Sequence, residues 1–214
     1  MKCALLLPGH MRHYKYTFLN QYETIIKPNN CDIFISTSNL VTNWINSKDY
    51  VTKKHDSQLL ENEIRSVYGD RLKGLIINEE EDNNLIPSPI QWKRLKECFE
   101  QKTDFEKKNN IEYDVIFRSR TDLVFSRPLI VEKIKAGNDS VSLMRHFDSN
   151  IPVHDQFAYG NHRSMKKYCA LIDVFKSREV GGRSEDQLNS WLKSQDIEVR
   201  YIEDFYFQMI RGQQ

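Results

Sequence analysis

Residues 113–122 read Tyr113-Asp114-Val115-Ile116-Phe117-Arg118-Ser119-Arg120-Thr121-Asp122, a short β-branched and aromatic run that leads straight into two arginines and an aspartate. The apolar half has the length and composition of a strand covered on both faces. Charges that follow directly on a buried strand are costly unless a ligand or partner ions meet them. Period-two alternation predicts Arg118, Arg120 and Asp122 on one side. An aspartate there suits a hard divalent cation, and the guanidiniums suit phosphate or carboxylate oxygens through forked hydrogen bonds. An Arg–Asp ion pair closing the end of the sheet is the other reading.

Similar apolar runs recur at residues 3–7, 32–36, 74–77, 141–144, 157–159 and 199–202, and amphipathic stretches lie at 16–26, 57–68, 90–109, 162–175 and 184–194. Strand and helix alternate, which predicts an α/β domain over residues 1–214. Its centre is a mainly parallel sheet of six or seven strands with helices on both faces. Such sheets bind ligands beyond the carboxyl ends of their strands. The residues that follow the runs are polar: Gly9-His10-Met11-Arg12, Ser36-Thr37-Ser38-Asn39, and the 118–122 segment itself. Residues 79–89, rich in acids, asparagine and proline, read as a mobile loop.

Composition narrows the function classes. Lys+Arg number 31 and Asp+Glu 30, so no overall field draws the chain to nucleic acid or an anionic membrane. No apolar run approaches the ~20 residues that span a bilayer, so no membrane insertion is expected. Met1 to Leu7 is stopped by Pro8-Gly9 too early for a signal-peptide core and reads as a first strand. Cys3, Cys31, Cys98 and Cys169 are far apart with no C-x-x-C spacing, as expected of free thiols in a reducing cytoplasm. The end at Gln214, without a charged tail, fits a domain cut from a longer polypeptide. No G-x-G-x-x-G, P-loop, H-E-x-x-H or G-x-S-x-G pattern is present, which removes support for hydride transfer, P-loop hydrolysis, zinc proteolysis and an α/β-hydrolase.

Four further groups of residues are open to two readings each. In Gly9-His10-Met11-Arg12 the glycine permits a tight turn and Arg12 reaches for a phosphate, or the arginine is simply on the surface. Asp155 is a base, sugar contact or metal helper, or an Asx-type loop residue. Ser184 reads as an N-cap with Gln187 completing a capping box, leaving Glu185 and Asp186 as acids near a ligand or as complements to the helix dipole. Gln91, Trp92 and Arg94 border a base or ribose, or Trp92 packs in the core.

Taken in order, the strand ending in Pro8-Gly9-His10-Met11-Arg12, the strand Cys31-Asp32-Ile33-Phe34-Ile35, Trp92, the 113–122 segment and Asp155-Gln156-Phe157-Ala158-Tyr159-Gly160 resemble GT-A-type glycosyltransferases, in particular glycosyltransferase domains of the chlorella virus type. The resemblance spans nearly the whole chain. It implies a GT-A-like domain with a mixed sheet, and transfer of a hexose, glucose or a 6-deoxyhexose such as rhamnose, from a UDP-sugar donor to a glycan hydroxyl. The setting it implies is viral glycoprotein glycan synthesis in the host cytoplasm, alongside possible further domains of one polypeptide. In that family an Asp-x-Asp motif ends a central strand and chelates manganese or magnesium. Here Arg120-Thr121-Asp122 occupies it, so Asp122 alone carries over as metal ligand and Arg120 turns to the donor. The resemblance further implies donor contacts by Pro8, Gly9, His10, Arg12, Trp92, Arg118, Thr121 and Arg211, and catalytic acids among Asp155, Glu185 and Asp186. The competing readings are a nucleotidyltransferase acting on sugar phosphates and a non-catalytic nucleotide-sugar-binding domain.

Overall fold

The computed structural model describes residues 1–44, 50–79, 87–132, 139–145, 153–175 and 183–210. In chain order the elements are β1 (Cys3–Pro8), α1 (Tyr14–Gln21) running on into one wider π-helical turn (Tyr22–Ile26), β2 (Cys31–Ser38), β3 (Leu40–Trp44), β4 (Tyr50–Lys54), α2 (Ser57–Tyr68), β5 (Leu72–Asn78), α3 (Pro87–Asn109), β6 (Val115–Arg118), β7 (Leu123–Phe125), β8 (Ser140–Leu143), β9 (Ala158–Gly160), α4 (His162–Cys169), α5 (Ile172–Phe175), α6 (Ser184–Ser194), β10 (Glu198–Tyr201) and β11 (Phe207–Met209). Seven strands form one sheet in the order β10-β8-β9-β6-β1-β2-β5. All seven contain apolar runs predicted above.

β1 is the axis of this sheet. It pairs in parallel with β2 from Cys3↔Cys31 to Pro8↔Ser36 and with β6 from Cys3↔Val115 to Leu6↔Arg118. Every residue of β1 is buried, because helices cover both faces. Cys3, Leu5 and Leu7 point into a core with Tyr14, Ile25, Leu60, Ile64 and Tyr68. Ala4 and Leu6 point the other way, into a second core with Trp92, Leu95 and Cys98 of α3 and Met165 and Tyr168 of α4. The sheet is mixed because β9 runs antiparallel between β6 and β8, which restores β8 and β10 to the direction of β1. The carboxyl ends of β1, β2, β6, β8 and β10 therefore share one edge.

Helix ends follow local chemistry. Asp56 caps α2 by accepting from the Leu59 N–H at 2.9 Å, and Asn161 caps α4 by accepting from the Ser164 N–H at 2.8 Å. The helix expected over 162–175 breaks in two. The Trp191 indole donates to the Lys167 carbonyl at 2.8 Å, and the Leu171 N–H, which an unbroken helix would direct there, turns to Tyr168 at 3.4 Å instead.

Two small antiparallel sheets were not anticipated: β3 with β4, and β7 with β11. The second brings residues 207–209 back against 123–125, just after the segment that opened the sequence reading. Residues 80–86 of the expected loop lie outside the described residues, and α3 begins at Pro87 rather than at residue 90. Among the described residues no helix is long and apolar enough to cross a membrane.

Candidate functional site

The chain leaves β1 at Gly9, whose φ of 102° favours glycine and whose N–H extends the ladder to the Ser36 carbonyl at 2.9 Å. Pro8, expected at the donor, is buried as the last residue of the strand, so its part is to shape this exit. His10 then folds under the β3 strand, with Nδ1 2.5 Å from the Leu40 carbonyl. That acceptor requires a proton on Nδ1 and leaves Nε2 as an acceptor. Burial, and then the charge of Arg12, push the His10 pKa down to about 4, with Arg94 and Arg120 adding to the effect. His10 is thus a neutral ring among arginines.

β6 ends at Arg118, and here the expected alternation stops. Arg118 lies on the Ile116 side of the strand, on the face covered by α3 and α4, and its side chain is wholly buried. None of its three guanidinium nitrogens has a hydrogen-bond partner among the described residues. After Ser119, whose N–H reaches the Leu6 carbonyl at 3.0 Å, the chain turns toward α1. Gln21 donates to the Arg120 carbonyl at 2.9 Å, the Thr17 hydroxyl donates to the Thr121 carbonyl, and the Thr121 hydroxyl donates to the His10 carbonyl at 2.9 Å. Arg118, Arg120 and Asp122 therefore do not line one strand face. The strand ends first, because its backbone groups find better partners on α1 and the Gly9–Arg12 turn. Thr121, expected at the donor, is 2% exposed and pins the two turns together.

Arg120 and Asp122 form a two-pronged ion pair, Nε to Oδ1 at 2.8 Å and Nη2 to Oδ2 at 2.7 Å. Burial alone raises a carboxyl pKa, but the hydrogen bonds and charge of Arg120, with Arg12 behind them, hold Asp122 below its usual range. The Arg120 side chain keeps 20% of its surface, against 4% for Asp122. Arg120 also senses Asp155, which places that acid at the same edge.

Asp155 sits in a network that begins on α3. Gln91 donates to its Oδ2 at 3.0 Å and the Ser184 hydroxyl at 2.8 Å, while Trp92 Nε1 donates to the Ser184 oxygen at 3.2 Å. Both hydrogen bonds to Asp155 from the described residues fall on Oδ2. Two expectations are corrected here. Trp92 is fully buried against Tyr168 and touches the network only through its indole N–H to Ser184, the core reading of this residue. Ser184 is not the N-cap of α6: Arg183 holds that position without a side-chain cap, because the Ser184 hydroxyl is committed to Asp155 and Trp92. Glu185 is half-buried and Asp186 exposed in the first turn of α6, next to the Ser184 link. Arg211 lies outside the described residues.

Sequence reading missed the role of Glu97. It accepts from Arg94 Nη1 at 3.1 Å, from the Ser36 hydroxyl, and from Asn78 at 3.5 Å, tying α3 to the ends of β2 and β5. The available signal was a polar row, Gln91, Arg94, Glu97 and Gln101, at helical spacing on the sheet-facing side of α3. Beyond Asp155 a cavity of about 360 Å³ opens at the ends of β8 and β10, lined by Arg145, His154, Tyr201, Tyr206 and Phe207.

The residues present do not fit a divalent cation. A cation that bridges a diphosphate needs one or two protein carboxylates with open oxygens, the rest of its shell being water and phosphate. Asp122 is the carboxylate at the expected position, and both its oxygens are held by Arg120. Among the described residues no three His, Cys, Asp or Glu side chains are grouped to hold an ion. The charges that surround Asp122 are guanidiniums.

No family profile matches the chain, and no curated protein matches it in sequence. Among solved structures it resembles the apo form of the glycosyltransferase GlyE from Streptococcus pneumoniae TIGR4, with a TM-score of 0.51 at 11% identity, over 92% of this chain and 44% of that one. It resembles a mutant Drosophila β-1,4-galactosyltransferase 7, solved with manganese, UDP-Gal and xylobiose, with a TM-score of 0.54 at 10% identity, over 99% of this chain and 71% of that one. The chain thus spans less than half of the GlyE chain it matches. At these identities the likeness carries the architecture, a central mixed seven-stranded sheet between helices, and by that architecture the chain has a GT-A-like α/β fold.

Proposed function

We propose that this chain is a glycosyltransferase that moves a hexosyl group from a uridine diphosphate sugar to a hydroxyl of a glycan. The observation that carries the reading is the edge shared by β1 and β6. Arg12, Arg94 and Arg120 converge there on a neutral His10, and Asp155, half satisfied by Gln91 and Ser184, stands within electrostatic reach of Arg120. A positive strand end attracts the diphosphate, and a nearby carboxylate with one open oxygen suits an acceptor hydroxyl. The Drosophila neighbour's complex with UDP-Gal and xylobiose supports donor and acceptor of this kind on this fold.

In this reading the acceptor oxygen attacks the anomeric carbon, its bond to the diphosphate oxygen breaks, and the diphosphate leaves with the bonding pair. The arginines stabilise the charge that builds on that oxygen. If the configuration inverts, Asp155 Oδ1 takes the acceptor proton, with Glu185 and Asp186 flanking the acceptor. If it is retained, the same acids position the acceptor. The cavity at the ends of β8 and β10 is the acceptor side in this reading, since Tyr201, Tyr206 and Phe207 line it, with Arg145 lying 4.0 Å over the Tyr201 ring. Glucose or rhamnose as the transferred sugar, synthesis of viral glycoprotein glycans in the host cytoplasm, and further domains in the same polypeptide rest on the resemblance in sequence. The manganese or magnesium expected from that resemblance meets no open carboxylate at Asp122, because Arg120 holds both its oxygens.

A thermal-shift panel of nucleoside diphosphates and their sugars tests the reading, because ligand that binds only the folded state raises its stability by mass action. UDP and a UDP-hexose are expected to stabilise the chain above the other bases, with slow hydrolysis of the donor when acceptor is absent. Stabilisation without any hydrolysis favours a binding domain, and pyrophosphate release from a nucleoside triphosphate favours a nucleotidyltransferase. Either result removes the glycosyltransferase reading.

A further inference from the structure

We propose that the site holds the diphosphate of its donor with guanidiniums in place of a divalent cation, Arg120 being the central counter-ion and Asp122 the residue that positions it. The inference deepens the nucleotide-sugar reading and rests on it.

The position where a cation would meet Asp122 is taken by Arg120, whose fork matches the carboxylate at 2.8 and 2.7 Å. A bidentate guanidinium–carboxylate pair is a strong charge-assisted contact with fixed planar geometry. A metal ion arriving here has to displace it and leave a mostly buried guanidinium without its partner. The fork uses Nε and Nη2 of a side chain that is still 20% exposed, so Nη1 is not part of the pair with Asp122.

The surroundings point the same way. Arg12 acts on both Asp122 and His10, and Arg94 acts on His10 from α3. Arg118, wholly buried and without a hydrogen-bond partner among the described residues, adds a further positive charge at the end of β6. Among the described residues the carboxylates nearest these guanidiniums are already engaged, Asp122 by Arg120 and Glu97 by Arg94. A nucleotide-sugar diphosphate brings negative charge to guanidiniums that already act on His10 and Asp122, whereas a divalent cation meets their repulsion. Guanidiniums also present paired donors to phosphate oxygens. The leaving diphosphate then has the positive charge it needs from groups already held in place by the fold.

The test compares binding of UDP to the wild-type chain in EDTA and in manganese, by calorimetry, together with the paramagnetic resonance signal of manganese titrated with protein alone. The expected result is a UDP dissociation constant that agrees within about threefold between the two conditions, and a free-manganese signal that the protein does not diminish. Arg120→Met is expected to weaken UDP binding by about tenfold or more in both conditions, and Asp122→Asn to weaken it equally with and without manganese. Melting curves identify any variant that is merely unfolded, and the wild-type comparison stands without them. UDP affinity that rises about tenfold or more with manganese, and loses that gain in Asp122→Asn, overturns the inference while leaving the nucleotide-sugar reading intact. Failure of UDP to bind under either condition overturns both.

Discussion

Arg120 and Asp122, two positions apart in sequence, close on each other as a fork at the end of the central strand, with contacts of 2.8 and 2.7 Å. Neither side chain is fully solvated, so removing one leaves the other's charge without compensation. Asp122→Asn is expected to cost about 3 kcal/mol, the lower end for a buried pair because Arg120 keeps some solvent. Combined with Arg120→Met, much of that loss should return. Urea denaturation of the two single variants and the double variant measures the coupling, and additive losses show that the fork contributes nothing as a pair.

The His10 ring makes the fold acid-sensitive in a defined window. Its pKa is about 4 in the folded chain, through burial and the charges of Arg12, Arg94 and Arg120, against about 6.5 for the unfolded residue. Between these values the unfolded state binds more protons. The stability His10 contributes is therefore present above about pH 6.5 and is lost as pH falls toward 4, to a limit of about 3 kcal/mol. Melting curves from pH 7 to 4.5 for wild type and His10→Asn check this. The wild type should show the steeper decline, and equal slopes exclude His10 as the cause.

Gln91 and Ser184 hold Oδ2 of Asp155, and the proposed reaction assigns Oδ1 to the acceptor hydroxyl. Asp155→Asn keeps the shape and both oxygen-side contacts at one atom but removes the charge and basicity. Turnover is expected to fall about 10²–10⁴-fold with UDP binding little changed. Ser184→Ala should cost far less, because Gln91 still orients the carboxylate. Transfer kinetics alongside UDP titration separate the two, and an equal loss of binding moves Asp155 from chemistry to donor recognition.

At the other end of α3, Lys102 is fully buried with its ammonium 2.7 Å from Glu106 and 2.9 Å from His162 Nδ1. Burial lowers the Lys102 pKa, and Glu106 counters only part of that. Glu106→Gln strands the ammonium and is expected to cost about 3–5 kcal/mol, while Lys102→Met with Glu106→Gln should recover most of it. Thermal denaturation of the three variants decides the point.

Gly160 lies in β9 between β6 and β8, where an added Cβ meets the Ser164 hydroxyl at 2.5 Å and the Ser140 carbonyl at 3.0 Å. The carbonyl belongs to the sheet and cannot rotate away. Gly160→Ala should destabilise by about 1–3 kcal/mol, seen as a lower melting temperature with the fold intact by circular dichroism. An unchanged melting temperature shows that β9 shifts freely.

The seven sheet strands were legible from composition, because a strand buried on both faces must be a short, nearly continuous apolar run wherever it pairs. Their common polar exits marked one edge of the sheet, and Arg118 to Asp122 stood out because charge directly after such a strand is rare without a reason. The small strands 123–125 and 207–209 were not legible. Three residues carry no periodicity, and they are strands only because a distant segment supplies the ladder.

What the sequence by itself determined is therefore the burial pattern, set by local apolar spacing, and the polar strand exits that gather at one edge of the sheet. What only the tertiary structure decided is the partner of each polar group. Arg120 binds Asp122, Arg118 turns into the helix-covered face, Trp92 withdraws into the core, and Ser184 leaves its capping role for Asp155. Hydrophobic burial is additive along the chain and leaves its trace in every short window. A hydrogen bond or ion pair depends on two groups meeting at about 3 Å, and only the folded backbone sets that distance.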